Sequence, residues 1–123
     1  MKIFDCFTFY NEEDILRLRL EILDKYVDKF IIVEATKTFT GKPKSLFLEN
    51  PPQWINKWLE KLIIIPIDFP DTCNTSWDRE HFQRNKIQSF LDITSVEEND
   101  LIIISDVDEI WNPDKVINLE YKY

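Results

Sequence analysis

A single glycine, Gly41, in 123 residues is the first constraint. A P-loop and a G-x-G-x-x-G dinucleotide turn both need several glycines to bring backbone against phosphate, so neither can be built here. One histidine, His81, and two cysteines, Cys6 and Cys73, leave no cluster with zinc spacing. Those cysteines could pair, but a chain that is 44% hydrophobic does not need a staple, and both are expected as free thiols, Cys6 packed in a strand. No apolar run approaches the roughly 18 residues of a membrane span. The start, MKIFDCFTFYNEED, is broken early by charge, unlike a secretory leader. A cytoplasmic or otherwise soluble protein is the expectation. Basic residues are in deficit: 15 Lys and Arg against 23 Asp and Glu give a net charge of −8. That argues against a nucleic-acid backbone or an anionic membrane surface as partner.

What the chain does contain is short apolar runs at regular intervals. Residues 2–9 (KIFDCFTF), 29–35 (KFIIVEA), 62–67 (LIIIPI) and 100–105 (DLIIIS) read as buried strands. Between the first two, Leu16, Leu20, Leu23 and Val27 recur at helical spacing, with Asn11 placed to cap and Glu13/Arg17 and Glu21/Lys25 one turn apart. Pro51 and Pro52 open a short helix carrying Trp54, Trp58 and Leu59, whose rings read as packing. Thr75 or Ser76 caps a helix from about 77 to 91, and Asn112, Pro113 and Asp114 start a last one. The order βαβαβαβα implies one domain over residues 1–123, built on a parallel α/β sheet with right-handed crossovers. Pro66 cannot donate to a ladder, which puts the third strand at an edge. A strand order of 3-2-1-4 satisfies this and places a topological switch point between strands 1 and 4, where open α/β sheets bind ligands.

The fourth strand ends at that point in "SDVDE": Asp106, Asp108 and Glu109 crowd three carboxylates into four positions. Like charges so close raise one another's pKa unless a cation sits among them. Asp106 and Asp108 flank Val107, so in extended backbone both side chains face one way. Hard oxygen ligands of this kind suit Mg²⁺ or Mn²⁺ with positions left open for phosphate. The helix before that strand supports an anionic ligand. Its apolar stripe of Ile87, Phe90 and Leu91 continues toward the N-terminus as Arg84, Gln83 and Glu80, and only then Trp77. Arg84 and Arg79 would then lie near the aspartates. The competing reading is a structural ion pair between Arg84 and Asp106 or Glu109. Asp5 reads as structural, His81 as a surface or packing residue, and Lys37, Lys42 and Lys44 as a solvated loop.

"DCFTFYNEEDILRLRLEILDKYVDKFIIVEATKTFTGKPK", "WDREHFQRNKI" and "IIISDVDEI" together resemble glycosyltransferase family 17, the family of β-1,4-mannosyl-glycoprotein 4-β-N-acetylglucosaminyltransferase, over nearly the whole chain. The resemblance implies a GT-A type, Rossmann-like fold and a UDP-N-acetylglucosamine donor. It also implies Mn²⁺ or Mg²⁺, a glycan acceptor and inversion at the anomeric carbon. It makes Asp106 and Asp108 a D-x-D motif, with Asp108 the main metal ligand and Asp106 near the ribose or the metal. It places Glu34 at the nucleoside, Arg84 and Asn85 (with Arg79 nearby) at the diphosphate, and Tyr10, Asn11 and Glu12 where strand 1 meets the nucleotide. Family members usually run well past the D-x-D strand to supply the acceptor site and catalytic base. This chain is therefore expected to hold the donor-binding half without the base, and without the membrane anchor of animal, Golgi-resident members. Two other readings stay open: a nucleotide-sugar-binding module that transfers nothing, and a Mg²⁺-dependent phosphohydrolase or nucleotidyltransferase. The absence of a glycine-rich loop after strand 1 counts against the nucleotidyltransferase.

Overall fold

The computed structural model describes residues 2–37, 43, 46–92 and 95–119. Four strands, β1 (Ile3–Phe9), β2 (Lys29–Ala35), β3 (Leu62–Ile67) and β4 (Leu101–Asp106), form one parallel sheet in the order β3-β2-β1-β4. The α/β arrangement and strand order are those expected. Central β1 and β2 are buried on both faces, as continuous apolar runs must be in a parallel sheet. Pro66 lies on edge strand β3, opposite Glu34 of β2. Alternation along β1 then divides the core. Ile3, Phe7 and Phe9 point toward helix α1 (Glu13–Leu23) and a 3₁₀ segment, Gln53–Lys61, to pack with Leu16, Leu20, Leu23, Ile55 and Trp58. Phe4 and Cys6 join Ile31, Val33 and Ile87 on the other face. Cys6 is buried, and that burial pushes its thiol up to about 12, so it is an inert packing group. Both cysteines are free.

Local chemistry departs from expectation at three places. Asn11 does not cap α1. It sits at φ 57°, the one positive φ among the described non-glycine residues, and Glu12 takes the N-cap position without a side-chain bond. Asparagine tolerates the left-handed region better than most residues, and the chain uses it to turn sharply out of β1. The Pro51–Pro52 segment is 3₁₀ rather than α. The long helix is divided: α2 runs Ser76–Asn85 and continues as 3₁₀ over Lys86–Asp92. Its cap is Thr75, whose hydroxyl accepts from the Asp78 N–H at 3.1 Å. On α1, Arg17 pairs with Glu21 at 3.3 Å, while Glu13 accepts from the Trp54 indole at 3.1 Å. Helix α3 (Pro113–Leu119) begins where Asn112 accepts from the Asp114 N–H. Among the described residues no helix is long and apolar enough to cross a membrane. Gly41, Lys42, Lys44 and Glu120 lie outside the described residues.

Candidate active site at the switch point

The acidic turn after β4 is built from beneath. Arg19 of α1 and Asp5 of β1 are both fully buried and form a two-pronged ion pair, with Nε to Oδ2 at 2.8 Å and Nη2 to Oδ1 at 2.6 Å. The guanidinium has donors left over. Nη1 donates to the carbonyls of Asp106 (2.7 Å), Glu109 (3.1 Å) and Val107 (3.2 Å), and Nη2 to the Ser105 hydroxyl at 2.6 Å. Its carbon lies 4.4 Å from the centre of the Phe7 ring. Trp111, just past the turn, donates from its indole to Asp5 at 3.0 Å. Arginine suits this role because its rigid fork carries five donors and holds its charge when desolvated. Carbonyls drawn inward by Arg19 leave the carboxylates of the turn facing out. Val107, buried at 3% exposure, pins the middle.

The turn also satisfies itself. The Glu109 carboxylate accepts from the Asp106 N–H at 3.0 Å, and the Glu109 N–H donates to the Asp106 carbonyl at 2.9 Å. The backbone N–H of Asp106 is the main reason the Glu109 carboxyl lies below its ordinary range. A second arginine meets the turn from the side: Nη2 of Arg84 is 2.8 Å from Oδ1 of Asp106 and 3.6 Å from Oε1 of Glu80. Both Arg84 and Asp106 are nearly half exposed, and a pair of that kind contributes about 0–1 kcal/mol. Arg84 can therefore turn to another anion at little cost. The inward polar stripe of α2 is resolved as a division of labour. Gln83 is buried and donates to the carbonyls of Val33 (2.9 Å) and Phe9 (3.3 Å), bridging β2 and β1 where they separate, while Arg84 stands at the rim.

In front of the turn lies a cavity of about 180 Å³ lined by Thr8, Tyr10, Glu12, Glu80, Asp106, Val107 and Asp108. Thr8 is the register partner of Asp106 on the neighbouring strand, so pairing alone sets the cavity between β1 and β4. Tyr10 and Glu12, on either side of the left-handed Asn11, both reach its wall. Four carboxylates face it. Burial pushes the Glu12 carboxyl above its ordinary value, and the charges of Asp108 and Asp106 push it further. Burial also raises the Asp106 carboxyl; Arg84 opposes the shift, and Glu109 and Asp108 add to it. This is the field expected where a cation belongs. Among the described residues, no three Asp, Glu, His or Cys side chains already converge as metal ligands. Two carboxylates with open positions nevertheless fit Mg²⁺ or Mn²⁺, which keep waters and take phosphate oxygens. Asp108 and the Asp106 oxygen not held by Arg84 are the donors that fit.

The remaining residues marked in the sequence lie elsewhere. Glu34 is fully buried on the α1 side of the sheet, where it accepts from the Phe47 N–H at 2.7 Å and lines a separate hollow with Leu46, Glu49, Ile64 and Pro66. Asn85 lines a shallow groove with Phe82, Lys86, Gln88 and Ser89. Arg79 is half-buried on α2. Arg19 carries the turn, although no motif marks it. Its signal was position: it falls between Leu16 and Leu23 on the inward stripe of α1, where a charge needs a buried partner, and Asp5 is a carboxylate within a core strand.

The model of glycosyltransferase family 17 matches residues 1–121. No curated protein and no solved structure matches the chain. A match over nearly every residue gives the assignment: the chain belongs to glycosyltransferase family 17.

Proposed function

We propose that the cavity between β1 and β4 binds a nucleotide-sugar donor through a divalent cation, and that the reaction served is transfer of N-acetylglucosamine from UDP-N-acetylglucosamine to a glycan with inversion. The observation that carries this reading is the turn at 106–109, whose carbonyls are held inward by Arg19 and whose Asp106 and Asp108 face a cavity already bordered by Glu12 and Glu80. Asp108 and Asp106 would hold Mn²⁺ or Mg²⁺. When bound, the cation would neutralise the diphosphate and stabilise charge on it as it leaves.

This chain's residues do the positioning. Arg19 keeps the two aspartates on one side of the turn. Arg84, released from a weak surface pair, supplies a planar donor fork to a phosphate oxygen. Tyr10 and Glu12 form the wall nearest β1. Inversion also needs a base within hydrogen-bond reach of the acceptor hydroxyl. We assign that role to none of these residues.

Calorimetry with UDP-N-acetylglucosamine tests the reading. Binding with Mn²⁺ present and at least tenfold weaker binding in EDTA is the expected result. Equal binding in both would remove the cation from the reading, and no binding in either would remove the donor.

A further inference from the structure

Trp77 opens α2 with 67% of its surface exposed, the most exposed of the large hydrophobic residues described. It is not core. Phe82 of the same helix packs edge-on against Phe69 at 6.0 Å, whereas among the described residues Trp77 meets the His81 ring, at 4.4 Å and 74°. Residues 77, 80, 81 and 84 share one helix face, and the four line a small hollow of about 50 Å³. That hollow adjoins the candidate active site. Glu80 lines both, and Arg84 of the shelf bonds Asp106 of the site. From Arg84 to Trp77 the helix rises about 10 Å, which leaves space between the aspartates and the indole.

We propose that the Trp77–His81 shelf binds a sugar ring of the acceptor, beside the donor cavity, a reading that rests on the glycosyl-transfer function proposed above. The chemistry fits an uncharged pyranose. One face of such a ring is a patch of C–H bonds that lies against an indole, and its edge carries hydroxyls that bond carboxylates and imidazoles. The indole provides a rigid apolar plane at low entropic cost. Glu80 and His81 sit at its border with acceptor and donor atoms for hydroxyl groups. Glu80 and Arg84, 3.6 Å apart on the same shelf, offset each other's charge, which suits an uncharged partner.

The test is saturation-transfer NMR on the 123-residue protein. The probes are two neutral oligosaccharides, N,N′-diacetylchitobiose and mannotriose, each with and without UDP and Mn²⁺. Wild type should bind at least one, with saturation strongest on ring C–H protons. Trp77→Ala should weaken that binding at least tenfold while UDP–Mn²⁺ binding stays unchanged, and Trp77→Phe should recover part of it. Because Trp77 is exposed, neither variant is expected to unfold, and a thermal melt checks this. Unchanged oligosaccharide binding in Trp77→Ala overturns the proposal, as does failure of both sugars to bind wild type. Loss of UDP-N-acetylglucosamine binding with oligosaccharide binding retained would move the shelf to the donor and overturn it as well. Failure of UDP and Mn²⁺ to bind wild type counts against the function proposed above. The shelf is then judged by the sugar measurements without nucleotide.

Discussion

Replacing Arg19 by methionine removes the charge and keeps most of the volume. Asp5 is then left with its carboxylate fully buried and the Trp111 indole as its remaining side-chain donor. Breaking a buried pair by removing one partner costs about 3–5 kcal/mol. The carbonyls of Asp106, Val107 and Glu109 also lose their donor, at about 1–3 kcal/mol each where water cannot replace it. The turn is at the surface, so water takes nearly all of the carbonyl load and the ion-pair loss of about 4 kcal/mol is the working figure. Domains are stable by only about 5–15 kcal/mol, so the variant should be close to unfolding. With a urea slope of about 1–3 kcal/mol/M, its midpoint falls by about 2 M. The double variant Asp5→Leu/Arg19→Met separates pairing from positioning. An apolar replacement for both partners is often neutral or stabilising, so most of the stability should return. The three carbonyls still lack their donor, so Mn²⁺-dependent UDP binding should stay at least tenfold weaker than in wild type. A loss below about 1 kcal/mol in Arg19→Met would refute the buried-pair argument. Full recovery of metal-dependent binding in the double variant would refute the claim that Arg19 aims the turn.

Asp108→Asn should abolish Mn²⁺-dependent UDP binding while the metal-free melting temperature stays the same or rises slightly, because the Asp108 charge opposes ionisation of both Glu12 and Asp106; a large drop in the melt would make Asp108 structural. Arg84→Ala should weaken nucleotide binding more than Lys44→Ala does and cost no more than about 1 kcal/mol of stability, as a half-exposed pair allows; equal binding effects would contradict its role at the diphosphate. Titrating Mn²⁺ affinity against pH should show it falling as pH drops through the range just above the ordinary values of 3.8 for Asp106 and 4.5 for Glu12, because both carboxyls are raised and take up protons early. The same raised values make their contribution to the stability of the metal-free fold decline as pH rises through that range, since the folded state binds more protons there than the unfolded chain. Affinity independent of pH across that range would remove both groups from the cation's surroundings.

The sheet was legible in the sequence because its information is local. Runs such as "FIIVEA" and "LIIIPI" carry β-branched residues without alternation, and Pro66 bars its strand from the middle, so the order 3-2-1-4, which the structure shows, already satisfied the signals along the chain. The placement of Asp106 and Asp108 at a switch point follows in turn from that order. Helix type was less legible: proline at the start and an apolar stripe do not distinguish α from 3₁₀, and both Gln53–Lys61 and Lys86–Asp92 are 3₁₀. Asn11 shows the same limit, since one residue type serves both as an N-cap and as a left-handed turn. Glu34 needed tertiary structure altogether. Its position at the end of β2 is readable, but its burial against the Phe47 N–H depends on where a distant loop folds back.

The decisive case is Arg19. Its place on the inward face of α1 can be read from Leu16, Leu20 and Leu23 around it, and Asp5 within β1 is a buried carboxylate in the same count. Sequence therefore determines that two charges are brought into one core, 14 residues apart. It does not determine that the guanidinium, after meeting Asp5, still has donors within 3.2 Å of three carbonyls of a turn more than 80 residues away. That depends on the crossover which lays α1 beneath the end of β4, and on a fork whose donors outnumber what one carboxylate can accept. Hydrophobic spacing decides which face of a helix goes inward. Only the packed sheet decides what that face can reach.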